Sequence, residues 1–175
     1  MTALILHGGA GARRERNYDA EVVHMREVVE AMKVRLDAGD SALHVAVAAV
    51  VMLEDSGLYV AGKGASPNLA GVYELDASIM DGSTKRAGAV AALQGFRNPV
   101  VAARAVMEKS PHVMLIGPGA DAFAASVGLE QVDPAFFFTE RRWRGLVETL
   151  TESGQPIPSR PTGAPSPEQT APTAS

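Results

Sequence analysis

The chain has 175 residues and a mass of 18.3 kDa, enough for one domain or for one half of a larger layered fold. Hydrophobic residues make up 46% of the chain, which is enough for a buried core. It has 20 acidic and 16 basic side chains, so its charge gives no reason to expect nucleic acid or an anionic membrane as a partner. Cysteine is absent, which excludes disulfide bonds, cysteine nucleophiles and cysteine-based zinc sites. No apolar run approaches the roughly 18 residues of a membrane span, so we expect a soluble, cytoplasmic protein.

Two regions of different composition divide the chain. Periodic apolar patterns continue through residues 1–152 and predict one globular unit. Six of the 11 prolines fall within residues 153–175, where Ser, Thr, Ala and Gly fill most other positions. Such a segment cannot bury enough apolar surface to offset the entropy of ordering it. We therefore interpret residues 153–175 as a flexible, proline-rich linker, with an ordinary frayed terminus as the alternative.

The first predicted elements are a short strand and two helices. The apolar run at residues 3–6 ends in a glycine-rich segment, which predicts a buried strand entering a tight turn. Asp19 is predicted to cap a helix that ends at Gly39. Asp40 is predicted to cap a second helix, residues 41–53, whose nearly uniform apolarity indicates a position between other layers. The apolar stripe of the first helix comprises Val22, Met25, Val29, Met32 and Leu36.

A β-hairpin is predicted next. Residues 73–80 alternate between apolar and polar, residues 87–93 are apolar, and Asp-Gly at 81–82 is a turn signal. Three carboxylates along this hairpin could do acid–base chemistry only in environments that separate their pKa values, so structural roles are favoured. They are Glu74, Asp76 and Asp81.

The second half of the chain predicts three helices and one strand. An Asn-Pro pair opens a helix over about 98–108, since asparagine caps and proline suits the first helical position. Residues 113–116 predict a continuous buried strand, followed by a short helix that ends at Gly128. Thr139 is predicted to cap a last helix that continues to Leu150.

Few single residues suggest chemistry. The four histidines show no metal-ligand spacing. His24 is predicted to lie on a solvated helix face, and His44 is predicted to be a hydrogen-bonded core residue. The loop at residues 7–11 lacks the third glycine of a dinucleotide-binding pattern and the Gly-Lys-Ser/Thr of a P-loop. We therefore favour a glycine turn beside another kind of site, where backbone must come close.

Four segments occur together, in this order, in one protein family. They are LILHGGAG (residues 4–11), LEDSGLYVAGKGA (53–65), YELDASIMDGSTKRAGAVAAL (73–93) and RNPVVAARAVMEKSPHVMLIGPGA (97–120). Over roughly residues 3–150 the chain resembles the N-terminal part of the plant-type (type III) L-asparaginases, also called isoaspartyl peptidases. These proteins are N-terminal-nucleophile hydrolases.

The resemblance implies an α+β fold in which this chain is the α-subunit half of a four-layer αββα sandwich, completed by a β subunit from the same precursor. It implies self-cleavage before a threonine, which becomes the nucleophile at the N-terminus of the β subunit, and an (αβ)2 heterotetramer. Because the chain lacks the expected Gly-Thr-Val-Gly junction, no catalytic residue is assigned to it, and residues 153–175 are expected to precede that junction. The implied activity is hydrolysis of β-aspartyl (isoaspartyl) di- and oligopeptides and of L-asparagine, which releases L-aspartate.

The resemblance also assigns roles to two loops. His7, Gly8 and Gly9 would lie against the nucleophile and support it. A loop over residues 53–63 would hold a structural Na+ or similar monovalent cation, with a glycine-rich connector that holds no ion as the alternative. The expected main-chain carbonyl donors are Leu53, Glu54, Ser56, Tyr59, Ala61 and Lys63. Val60 stands where the family usually has asparagine, so a polar contact near the nucleophile is lost.

A second hypothesis comes from a different class of protein. The chain could be a non-catalytic binding domain whose glycine-rich loop, Gly8–Gly11, holds an anionic ligand. The two hypotheses differ in one observation, because the enzyme requires a partner chain that begins with threonine and the binding domain requires none.

Overall fold

The computed structural model describes residues 3–11 and 13–166. The helices in these ranges are α1 (Asp19–Asp37), α2 (Ala42–Ser56), α3 (Pro99–Lys109), α4 (Gly117–Ser126) and α5 (Glu140–Glu152). The strands are β1 (Leu75–Met80), β2 (Ala87–Leu93) and β3 (Met114–Ile116), and short 3-10 turns lie at Gly62–Gly64 and Pro134–Phe136. In this part of the chain, no helix combines the length and the apolarity that crossing a membrane requires.

The strands form one sheet in the order β1-β2-β3. β1 and β2 are antiparallel, which confirms the predicted hairpin, and β3 lies parallel to β2 after the crossover through α3. Both α3 and α4 pack on this sheet. The buried core between them comprises Val90, Leu93, Phe96, Ala102, Ala103, Val106, Ala120 and Ala124. Gly88 allows α3 its close approach, because a Cβ there would lie 2.2 Å from the carbonyl oxygen of Ala103.

The boundaries of the later helices agree with the local sequence signals. α3 begins at Pro99, directly after Asn98, as predicted. α4 ends at Ser126, two residues before Gly128, whose φ of +74° is left-handed. α5 begins after Thr139, although the Thr139 side chain makes no capping hydrogen bond within the described residues.

A second core lies between α1 and α2. Its buried members are Val28, Met32, Val45, Ala49, Leu53 and Tyr59. α2 also contacts α3 and so packs between α1 and α3, but Ala42, His44 and Ala46 are exposed, so the predicted position between layers is confirmed only in part within the described residues. The predicted caps are each wrong by one residue. Asp19 is already the first residue of α1, and Ser41, not Asp40, caps α2, where its Oγ accepts a hydrogen bond from the backbone N–H of His44 at 3.3 Å.

The buried face of α1 differs from the predicted stripe. Met32 is buried, but Val22 and Val29 are 46% and 40% exposed. Val28, which the prediction left out, is fully buried. The reason is that α1 packs against α2 and the loop after it with the face that carries Met25, Val28 and Met32, so the buried face is rotated relative to the predicted stripe.

The predicted first strand at residues 3–6 is not formed. Leu4 and Leu6 pack against the core between α1 and α2, whereas Ile5 is 91% exposed. Side chains therefore alternate as in a strand, but a strand needs hydrogen bonds to a neighbouring strand. The described residues place no strand beside this segment.

The prediction of a continuous buried strand at residues 113–116 is also wrong in part. β3 is formed, but Met114 and Ile116 are 51% and 64% exposed. Within the described part of the chain β3 pairs with β2 alone, so it is an edge strand with one face uncovered.

Residues 155–166 return to the start of α5 without regular helix or strand. The guanidinium of Arg160 donates two hydrogen bonds to the Glu140 carboxylate, at 2.8 and 3.0 Å, and lies over the ring of Phe138. Ala164 packs against the core cluster that contains Trp143. The flexibility expected of this segment stays a prediction, and residues 167–175 lie outside the described residues.

Candidate active site

The glycine-rich loop at residues 7–11 and the loop after α2 line the same cleft. This cleft has a volume of about 620 Å³. Gly8–Gly11 form one wall and Leu58–Val60 another, and side chains from α1 and from the start of α5 complete it. The structure thus brings together two segments that only the family resemblance had placed near a nucleophile.

Gly8 and Gly9 are needed for different reasons. A Cβ on Gly8 would lie 2.8 Å from Cε of Met25 and 3.1 Å from the ring of Tyr59, so the loop lies directly on the core between α1 and α2. A Cβ on Gly9 would meet nothing within 4 Å among the described residues, but its φ of +109° is a conformation that favours glycine. The backbone N–H of Gly9 donates to Nδ1 of the exposed His7 at 3.3 Å, and His7 does not line the cleft in the described structure.

Tyr59 anchors the second loop to α1. Its buried hydroxyl donates to the backbone carbonyl of Glu21 at 3.1 Å and lies 3.2 Å from Nδ1 of His24. Burial raises the pKa of Tyr59 above its ordinary value, so the hydroxyl keeps its proton at neutral pH. His24 is half-buried against this ring, and the prediction that it lies on a solvated face is wrong, because the loop after α2 covers it.

The other histidine interpretation is also wrong in part. His44 is hydrogen-bonded, as predicted, but it lies on an exposed face and not in the core. Its Nε2 is 2.8 Å from Nη2 of Arg104, and its Nδ1 is 3.0 Å from Oγ of Ser41. The polar position is the exposed one, since the buried face of α2 is already filled by apolar side chains.

Two glycines close the loop after α2 tightly. A Cβ on Gly62 would lie 2.6 Å from the carbonyl oxygen of Glu54, and Gly62 has a φ of +49°. A Cβ on Gly64 would lie 2.0 Å from the carbonyl oxygen of Tyr59 and 2.9 Å from that of Gly57. The backbone carbonyls of Glu54, Gly57 and Tyr59 therefore pack directly against the 3-10 turn.

The six residues expected to hold a cation all lie in this loop and at the end of α2. The carbonyls of Glu54 and Tyr59 lie against the 3-10 turn, while those of Leu53 and Ala61 already accept hydrogen bonds from Ser56 Oγ and Gly64 N–H. A carbonyl oxygen has a second lone pair and can still bind an ion. No group of three or more His, Cys, Asp or Glu side chains in the described residues could hold a metal, so a cation here would depend on main-chain oxygens. The cation stays a prediction.

The side chain of Glu54 has a role that sequence reasoning missed. It is 2% exposed, and its Oε1 accepts a hydrogen bond from the backbone N–H of Val100 at 3.0 Å. Burial raises the pKa of this carboxyl to about 7. Glu54, at the end of α2, thereby accepts a hydrogen bond from a backbone N–H in the first turn of α3. Asn98, the residue that precedes α3, makes no capping hydrogen bond with its side chain in the described structure and donates to Asp55. The available signal was an acidic pair, Glu54 and Asp55, at the end of an otherwise apolar helix.

Arginines dominate the charge of the cleft, which sequence reasoning also missed. The arginines that line it are Arg16, Arg26, Arg141 and Arg142, and the one carboxylate among its described lining residues is Glu21. Glu21 pairs with Arg16 and lies 3.7 Å from Arg141. Nε of Arg142 donates to the carbonyl of Gly64 at 2.9 Å, which ties α5 to the loop after α2. Burial and the neighbouring arginines lower the pKa of Arg142.

The hairpin carboxylates have structural roles, as favoured from the sequence. Glu74 accepts a hydrogen bond from the side chain of Asn68 at 2.8 Å. Asp76 accepts one from the backbone N–H of Ala92 at 2.8 Å, beside an irregularity in the β1–β2 register. Asp81 accepts hydrogen bonds within its own turn, which lower the pKa of that carboxyl.

The sequence profile of the asparaginase family matches residues 1–173. This chain belongs to the asparaginase family. This match confirms the resemblance given by the four segments. The family consists of N-terminal-nucleophile hydrolases. The mixed α/β architecture with a small sheet is consistent with that class, while the two-subunit sandwich stays a prediction.

Three relatives show how far the match extends. The chain is 43% identical over 166 residues to the isoaspartyl peptidase of Salmonella typhimurium, covering 88% of this chain and 53% of the relative. It is 44% identical over 156 residues to the plant-type L-asparaginase of Thermococcus kodakarensis, covering 89% and 51%. It is 40% identical over 153 residues to the isoaspartyl peptidase/L-asparaginase of Mus musculus, covering 86% and 47%. The chain spans about half the length of the curated relatives that it matches.

Proposed function

We propose that this chain is the α subunit of a self-cleaving threonine amidohydrolase that hydrolyses β-aspartyl (isoaspartyl) di- and oligopeptides and L-asparagine and releases L-aspartate. One observation carries the proposal. In a chain that matches the asparaginase family over residues 1–173, the loop containing Gly8 and Gly9 lines one cleft with Val60, which stands where the family usually has asparagine. No serine, threonine or cysteine is among the described residues that line it. This supports a nucleophile supplied from outside these residues.

The proposed chemistry takes place on a threonine of the β subunit. Its hydroxyl oxygen attacks the side-chain carbonyl carbon of the aspartyl group, and its free amine accepts the hydroxyl proton. The carbon–nitrogen bond then breaks, and the leaving amine takes up a proton. Water hydrolyses the resulting ester and releases L-aspartate. Asparagine loses ammonia in the first step, and a β-aspartyl peptide loses an amino acid or a peptide.

This chain contributes the shape and rigidity of the cleft. The absence of a side chain lets Gly8 lie against Met25 and Tyr59, and the open space beside Gly9 leaves room for the nucleophile and the bond that is cleaved. Tyr59 and Arg142 hold the loop after α2 against α1 and α5. The side chain of Val60 is 65% exposed in the cleft and can neither donate nor accept a hydrogen bond. The polar contact expected of the family asparagine is therefore absent from this position.

A structural Na+ or similar monovalent cation belongs to the proposal. Hard cations prefer oxygen ligands, and the tightly closed loop around Gly62 and Gly64 brings several backbone carbonyls together. When bound, the ion would hold the loop that carries Val60 in position. The proposed assembly is an (αβ)2 heterotetramer with a β subunit from the same precursor.

Intact-mass spectrometry with N-terminal sequencing of the native preparation tests the proposal. We expect a second chain that begins with threonine, present in equal copies, and hydrolysis of both L-asparagine and a β-aspartyl dipeptide. A preparation that contains only this chain as a stable monomer and hydrolyses neither substrate would refute the proposal. Anion binding by such a monomer, lost on substitution at Gly8–Gly11, would support the non-catalytic binding domain instead.

A further inference from the structure

The cleft beside the glycine-rich loop holds more positive charge than the described residues neutralise. Four arginines and one glutamate line it. Glu21 is already paired with Arg16, and its contact with Arg141 is longer, at 3.7 Å. Arg26 has no carboxylate partner among the described residues, and Arg141 shares, at the longer distance, the one carboxylate that Arg16 already contacts.

Three of the four arginines are held close to one another, since Arg16 and Arg141 contact the same oxygen of Glu21 and Arg142 follows Arg141 in the chain. Burial lowers the pKa of both Arg141 and Arg142, and the like charges of the neighbouring arginines lower it further. Arg142 is fixed by the Gly64 carbonyl, and Arg141 is its neighbour in the first turn of α5. An incoming carboxylate would relieve this repulsion, and arginine offers two parallel donors to such a group.

We propose that Arg26 and Arg141 bind the α-carboxylate of the residue that leaves a β-aspartyl dipeptide. The inference rests on the proposed function, which places the nucleophile next to Gly8 and Gly9 on the same cleft. A β-aspartyl dipeptide carries a carboxylate on its leaving amino acid, whereas the leaving group of asparagine is ammonia. The arginines thus favour dipeptides over asparagine.

The remaining lining of the cleft fits this assignment. Its volume of about 620 Å³ lies within the range of pockets that enclose small ligands, roughly 300–1,000 Å³. Val22, Met25 and Val60 add apolar surface beside the arginines. That surface suits the side chain of an apolar leaving residue, while the guanidinium groups bind its carboxylate.

Three substrates and three variants test the assignment in the complete enzyme. The substrates are β-aspartyl-leucine, its C-terminal amide and L-asparagine. The variants are Arg26→Gln, Arg141→Gln and, as a matched control, Arg144→Gln on the same helix, which does not line this cleft. Because the amide differs from the free acid only in the charge that the arginines would recognise, the ratio of their kcat/KM values is insensitive to general damage.

We expect the unchanged enzyme and the Arg144→Gln variant to favour the free acid over the amide by about ten- to hundredfold, the usual worth of a hydrogen bond to a charged group. Arg141→Gln and Arg26→Gln should each reduce this ratio, mainly through a higher KM for the free acid, because the carboxylate keeps its charge throughout the reaction and is bound equally in the ground state and the transition state.

Each other outcome overturns the inference in a recognisable way. If the unchanged enzyme hydrolyses free acid and amide equally, the arginines do not bind this carboxylate, and the proposed function stands. If Arg141→Gln lowers kcat/KM for all three substrates by the same factor, Arg141 supports the fold or the assembly and does not bind this carboxylate. If the unchanged enzyme hydrolyses none of the three, the proposed function falls and this inference with it.

Discussion

Replacing Gly64 with alanine places a Cβ 2.0 Å from the carbonyl oxygen of Tyr59 and 2.9 Å from that of Gly57. Ordinary contact begins at 3.4 Å, so the Tyr59 carbonyl must move by about 1.4 Å. Neither neighbour is the flexible end of a side chain, so the backbone itself has to shift. Overpacking of this kind costs about 1–3 kcal/mol, and we expect about 3 kcal/mol because no rotamer change relieves it.

The same displacement should abolish cation binding. Coordination distances tolerate changes of about 0.2 Å, which is much less than the movement required of the Tyr59 carbonyl. Tyr59 is one of the six carbonyl donors expected in this loop. Gly64→Ala therefore combines a loss of stability with a loss of the response to sodium.

Thermal unfolding followed by circular dichroism measures both effects. For a protein of this size about 3 kcal/mol corresponds to a decrease of about 6–12 °C in Tm. We expect the Tm of the unchanged protein to be higher in sodium chloride than in tetramethylammonium chloride of equal ionic strength, and that of Gly64→Ala to be equal in both. Gly82→Ala is the control, since a Cβ in that turn meets nothing within 4 Å among the described residues. A Gly64→Ala protein that melts like the unchanged one and still responds to sodium would refute the reasoning.

Three further substitutions test other parts of the structure. Gly88→Ala should force β2 and α3 apart, because its Cβ would lie 2.2 Å from the Ala103 carbonyl oxygen. We expect the free energy of unfolding, measured by urea titration, to fall by about 3 kcal/mol, and an unchanged midpoint would contradict this packing. Gly145 lies within α5, and a Cβ there would meet nothing within 4 Å in the described structure. Gly145→Ala should therefore raise the free energy of unfolding by about 0.5–1 kcal/mol, and a loss of stability would show that another group fills the space beside Gly145. Arg160→Gln removes both hydrogen bonds to Glu140 and should speed proteinase K cleavage within residues 155–166, whereas unchanged cleavage would show that the pair does not hold the segment.

The elements predicted correctly are those whose signals are short in sequence. Asp-Gly at 81–82 and the apolar patterns around it specify the β1–β2 hairpin, and the Asn98-Pro99 pair specifies the start of α3. The predicted cap of α2 is displaced by one residue, because Asp40 and Ser41 are both good caps and only the backbone conformation decides between them. The loops at residues 7–9 and 53–63 came from family resemblance, not from periodicity or composition.

The remaining features depend on residues that are distant in sequence. Residues 3–6 have the apolar pattern of a strand, but strand formation needs a neighbouring strand to accept and donate hydrogen bonds. Glu54 accepts a hydrogen bond from the start of α3. Arg26 and Arg141 are more than a hundred residues apart in sequence but line one cleft, because α1 and the start of α5 both border it. No local sequence pattern predicts these long-range contacts, because they depend on how the helices pack. Residue types and nearby spacing therefore determined the hairpin, the helices and the family, while long-range packing alone determined the charge and shape of the cleft.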